Sequence, residues 1–194
     1  MKKGALIFTL LLIIIVPGCN KSTQTPNLMD NIQKSDLSPI EISDPNNKSV
    51  SRQEEITNFS LKLLNESFED ENILISPLSI VSALGMVTNG AEGNTLYEME
   101  KVLNSDIQGL NDYIKAYTTY IPNEEQYKVN LANSIWFKDD KSLEVNQEFL
   151  QINKDYYDAN VYKAPFDEST KNDINNWVKE KTSGMIESLL EEAP

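Results

Sequence analysis

The stretch "SPLSIVSALGMVTNGAEGNT", Ser76 to Thr95, constrains the fold most. Ser76 can cap a helix with its hydroxyl, and Pro77 suits the first helical position, where no amide donor is needed. Asn89-Gly90 reads as a left-handed stop. Between these signals Ile80, Val81, Ala83, Leu84, Met86 and Val87 occupy most of the helix circumference. Only the small residues Ser79, Ser82, Gly85 and Thr88 interrupt them. A helix apolar all round is buried all round. About thirteen residues fall short of the roughly 20 that a bilayer requires. The helix must therefore lie inside a soluble domain, with other elements on every side.

The flanking sequence supplies some of those elements. Ile56, Phe59 and Leu63 share a face, which predicts an amphipathic helix over Gln53–Glu69. Asn72–Ile75 is a short apolar run that suits a buried strand. Thr95 can cap a further helix carrying Leu96, Met99, Val102 and Leu103 and ending near Asn104. Ile107–Tyr120 reads as helix, broken by Ile121-Pro122-Asn123. "KVNLANSIWF" then alternates as a strand, with Val129, Leu131, Asn133, Ile135 and Phe137 on one face. Asn133 falls on the more apolar side, so its amide needs partners. A helix over Asn146–Asp158, a strand over Asn160–Phe166 and a helix over Ser169–Leu190 complete the chain. This is an α+β pattern with few strands. The long strand has one obvious neighbour, and the sequence reads as lacking part of its own core.

The N-terminus reads as a targeting segment. Lys2 and Lys3 precede the apolar run Ala5–Val16, which has the length of a signal core. Val16-Pro17-Gly18-Cys19 resembles the end of a bacterial lipoprotein signal, in which the cysteine is acylated and becomes the new N-terminus. Residues 1–18 are then a signal peptide and Cys19 is the lipid attachment point. This places the protein outside the cytoplasm, lipid-anchored at the membrane or secreted. Residues 19–52 read as a flexible linker, rich in Ser, Asn, Asp and Pro. Leu28, Met29, Ile32, Leu37, Ile40 and Ile42 are out of place in a pure spacer, so part of this segment is expected to dock on the body.

Charge and residue inventory narrow the function. The net charge is −13, with 17 basic and 30 acidic residues among 194. Nucleic-acid binding needs clustered Lys and Arg, so no nucleic-acid partner is expected. There is no His, and Cys19 is the single Cys. The commonest general base and the usual nucleophile–base pairs are absent, so no catalytic residue and no enzyme activity are expected. No cofactor fingerprint or metal-loop spacing occurs, and none is expected.

The quoted segments together resemble the serpin family. "NILISPLSIVSALGMVTNGAEGNTLYEM" is similar to the family's N-terminal signature, where a strand leads through Ser-Pro-x-Ser into helix B. "VNLANSIWF" is similar to strand 2A, "NQEFLQINKDYYDANVYKAPF" to helix E and strand 1A, and "KNDINNWVKEKTSGMIESLL" to helix F. The resemblance implies a serpin fold over 53–194, comprising its N-terminal portion: helices A–F with strands 6B, 2A and 1A. It implies that Asn72, Ser76, Pro77, Ser79, Gly90, Thr95 and Asn133 belong to or adjoin the shutter, where the central strands of sheet A part. It also implies inhibition of an extracellular serine or cysteine protease: a bait loop is cleaved and inserts into sheet A while the protease is held as an acyl-enzyme. In this family the bait loop lies C-terminal to helix F and is absent from this chain, so the chain alone is expected not to inhibit. The alternative is a non-inhibitory surface lipoprotein that acts as a binding module.

Overall fold

The computed structural model describes residues 25–37, 49–121, 124 and 129–194. Cys19 and the signal-like run lie outside them. Six helices and two strands follow in order: α1 (Ser49–Ser67), α2 (Pro77–Thr88), α3 (Gly93–Leu103), α4 (Ile107–Tyr120), β1 (Ser134–Lys138), α5 (Gln147–Tyr157), β2 (Asn160–Ala164) and α6 (Glu168–Lys181). β1 and β2 pair in parallel, Ser134 opposite Asn160 through Lys138 opposite Ala164. Parallel neighbours need a crossover, and α5 provides it. The Asn160 amide also donates to the Asn133 carbonyl, so pairing begins one residue before the ladder.

The main core lies among α1, α2, α4 and the end of α5. Ile56, Phe59, Val81, Leu110, Ile114 and Tyr157 are among its buried members, and Leu103 of α3 joins them. Under the sheet, the Trp136 and Tyr162 rings stack with centroids 4.2 Å apart, beside Trp177 of α6.

Several sequence expectations change. Asn72–Ile75 makes no ladder with any described residue, and Leu74 is 98% exposed. α2 buries only part of its circumference: Val81, Ser82, Gly85, Met86 and Thr88 face the core, while Val87 stays 55% exposed. Its stop is not left-handed. Asn89 is right-handed (φ −63°), and its side chain closes the turn by donating to the Gly85 carbonyl at 2.9 Å. Thr95 does not cap α3; that position belongs to Glu92, and Thr95 lies inside the first turn. Helix formation starts three residues early, at Gly93, whose φ of +57° is costly for any residue with a Cβ. β1 begins at Ser134 rather than near Val129. α6 ends at Lys181, where Ser183 (φ 53°) and Gly184 (φ 82°) reverse the chain. The following segment folds back on α6: the Asn175 side-chain oxygen Oδ1 accepts from the Leu189 and Leu190 amides, both at 2.8 Å.

Parts of the segment read as linker are ordered on the body. α1 begins at Ser49, and Arg52 is buried within it. Residues 25–37 form a strap across β2, α5 and α6. The Thr25 amide and hydroxyl donate to Asp173 of α6 at 2.9 and 2.6 Å. The Leu28 amide donates to the Val161 carbonyl at 2.7 Å, and Met29, 4% exposed, packs with Leu150 and Val161. The Ser35 amide donates to Asp155 of α5 at 2.7 Å.

Candidate functional site

The site residues expected from sequence separate into three neighbourhoods. The first is the start of α2. The Ser76 hydroxyl accepts from the Ser79 amide at 3.4 Å and pairs with the Ser79 hydroxyl at 2.8 Å. Pro77 follows at the first helical position. Asn72, Ser76 and Ser79 are exposed. This turn is therefore self-satisfied by its cap and is open to solvent on its outer side.

The second neighbourhood is apolar. Gly90 lies against the Phe149 ring, where a Cβ would come within 3.1 Å of an aromatic carbon. The glycine here serves close approach to the ring, not a left-handed turn. Val87, Gly90, Ile135, Phe137 and Phe149 line an open groove of about 340 Å³ between the end of α2 and β1. Thr95 borders a second apolar groove with Leu84, Met99 and Val102.

The third neighbourhood is a polar network, and Asn133 is the one expected residue in it. The Asn133 side-chain amide donates to the Tyr157 carbonyl at 2.9 Å. The Tyr157 hydroxyl donates to the Asn111 side-chain oxygen at 2.6 Å. Asn111 and Asn89 exchange two amide hydrogen bonds, at 3.0 and 2.8 Å. The last residue of α5 thus joins α2, α4 and the approach to β1. Burial pushes the Tyr157 phenol far above its ordinary value, so it stays a neutral donor. A Cβ on Gly85 would run into that hydroxyl, which explains the small residue on α2. Sequence reasoning missed Asn89, Asn111 and Tyr157 as partners. Asn111 carried a usable signal, a polar residue among Leu110, Ile114 and Tyr113 on a buried helix face.

Asn133 also lines a cleft of about 300 Å³ with Lys34, Lys115, Thr118, Tyr156 and Asp158. Burial, and then the neighbouring Lys34 charge, hold the Lys115 ammonium below its usual range. Lys115 donates to the Asp155 carbonyl at 3.1 Å, so it braces the end of α5. Hydrogen-bonded bracing is what the first and third neighbourhoods supply, and open apolar surface is what the second supplies.

The family model described as Serpin (serine protease inhibitor) matches residues 54–194. The chain belongs to the serpin family. This serpin is 33% identical to neuroserpin of Homo sapiens over 147 residues, 71% of the chain and 35% of that protein. It is 34% identical to leukocyte elastase inhibitor of Xenopus tropicalis over 143 residues, 69% of the chain and 37% of that protein. The structure of a thermophilic serpin, tengpin, in the native state superposes with a TM-score of 0.79 at 44% identity, covering 88% of the chain and 43% of tengpin. The serpin therefore spans well under half the length of the relatives it matches. In the family's terms, α1 to α6 are helices A to F of the N-terminal portion, and β1 and β2 are strands 2A and 1A. Asn72–Ile75 occupies the place of strand 6B and has no ladder partner among the described residues.

Proposed function

We propose that this serpin chain is the N-terminal half of an extracytoplasmic inhibitor of a serine or cysteine protease, lipid-anchored at Cys19. The inhibitor acts by inserting a cleaved reactive loop into sheet A. Asn72, Ser76, Pro77, Ser79, Gly90, Thr95 and Asn133 serve that insertion as shutter or neighbouring residues. They steer a conformational change and perform no step of bond chemistry.

One observation carries the proposal: large apolar side chains stand exposed at both ends of α2, beside the expected shutter residues Ser76 and Gly90. Leu74 is 98% exposed directly before the Ser76 cap, and Val87 is 55% exposed one turn before Gly90. Open apolar surface of this kind marks an interaction site. A second half that covers this face and carries the reactive loop accounts for it.

The test is to produce two polypeptides, the 194-residue chain and the continuous product including whatever is encoded after Pro194. Each is mixed with a panel of serine and cysteine proteases. The continuous product is expected to give a covalent complex that survives denaturing electrophoresis, and the 194-residue chain none. A covalent complex with the shorter chain overturns the half-inhibitor reading; none with the longer one favours a binding role. For the anchor, fatty-acid labelling is expected in the wild type and lost in Cys19→Ala.

A further inference from the structure

We propose that the docked strap fixes which face of the serpin looks at the membrane, holding α6 and the edge of β2 toward the lipid. This rests on the reading of Cys19 as the lipid attachment point. Five residues separate Cys19 from Thr25, the first described residue, which is held on the body by Asp173. Even fully extended, that connection reaches only roughly 20 Å. The anchor thus acts on the body at Thr25 through a short tether, not at α1 through a long one.

The grip at that point is specific. Thr25 places two donors on Asp173, whose side of α6 is buried. The Asn27 side-chain oxygen accepts from the Val161 amide at 3.2 Å, and Asn27 bridges to Tyr162 across the edge of β2. Met29 then fills the apolar cluster, and Ser35 is held by Asp155. Pulling on residue 25 therefore loads contacts to α6, β2 and α5 at once.

The strap pairs along the edge of β2, where Asn27 bridges to Tyr162, and so removes a free strand edge from that side.

The experiment uses the lipidated protein in vesicles of phosphatidylcholine and phosphatidylglycerol containing an acceptor-labelled lipid. The lipid occupies Cys19, so a single introduced thiol can carry the donor. Lys179→Cys reports on α6, and Glu98→Cys on α3, which packs on α1 and α2. Energy transfer to the membrane is expected to be higher from position 179 than from position 98. A Gly/Ser insertion of about 20 residues after Asn20, with an r.m.s. span of roughly 25 Å, is expected to abolish the difference while leaving the body untouched. Equal transfer from both positions without the insertion overturns the proposal while the anchor stands, as does a difference that survives the insertion. Recovery of the protein in the soluble fraction, without fatty-acid label, overturns the anchor and the orientation with it.

Discussion

Tyr157 shows how much of this structure hangs on single polar atoms. Its hydroxyl holds Asn111, its carbonyl holds Asn133, and its ring fills the space that Gly85 leaves. Removing only the hydroxyl deletes one hydrogen bond and leaves Asn111 still paired with Asn89. Tyr157→Phe is therefore expected to cost about 1 kcal/mol, the net worth of a typical hydrogen bond. Asn111→Ala leaves the buried Tyr157 hydroxyl without its acceptor and is expected to cost more, about 1–3 kcal/mol, while the Asn89 amide keeps its bond to the Gly85 carbonyl. Chemical denaturation of the two variants checks the order. The phenol adds a pH signature. Its value is raised in the folded state, so its contribution is complete below the ordinary 10.0 and is lost as pH rises above that. The wild type is expected to lose more stability than Tyr157→Phe between neutral pH and alkaline pH. The sequence displayed Asn133 as a buried amide in need of partners because strand alternation is local. It could not display Tyr157 as the partner, because their contact depends on the β1–α5–β2 crossover.

At the scale of elements, legibility followed the same division. α2 was readable from its Ser-Pro start, and α4 and α5 from apolar residues recurring in helical register. Ser76, Asp106 and Asn146 cap them with side-chain oxygens that accept backbone amides. The end of α6 was not readable. Apolar residues continue past Lys181, and only the reversal at Ser183 and Gly184 stops the helix. Its start is set by Asp167, which accepts from the Ser169 and Thr170 amides within a reciprocal capping box. The Ser169 hydroxyl, then the Thr170 amide, hold the Asp167 carboxyl below its usual value. A lowered carboxyl contributes stability above its unfolded value and loses it as pH falls through the folded one. Exchange protection of the Ser169 and Thr170 amides, relative to the intrinsic rate at the same pH, is expected to fall selectively at acid pH, and at neutral pH in Asp167→Ala. The strap was only half legible: its apolar residues argued for docking, but its β2 partner could not be named. Met29→Ala leaves a cavity between Leu150 and Val161, a change that costs about 2–5 kcal/mol in a closed core. The variant is expected to release residues 25–37 to protease while α2 and α4 keep their exchange protection.

For the whole molecule, the sequence states a burial requirement that the described residues do not meet. The circumference of α2 is apolar, yet α1, α3, α4 and α5 cover only part of it, and Leu74 projects into solvent beside it. A chain of 194 residues has ample apolar content for its own core, so the shortfall is one of cover, not composition. The proposed second half resolves it, and Leu74 separates this explanation from a surface that is simply apolar. In the 194-residue chain the side chain touches almost nothing, so Leu74→Ser is expected to change stability by less than about 0.5 kcal/mol, as surface substitutions do. In the continuous serpin the same residue is expected to be interior. There Leu74→Ser should cost several kcal/mol, because it loses apolar burial and leaves a hydroxyl to be satisfied. Denaturation midpoints of wild type and variant in both polypeptides measure the difference directly. Equal, small effects in the two chains would mean that the face before Ser76 stays open in the complete protein, and the case for a covering second half would fail there.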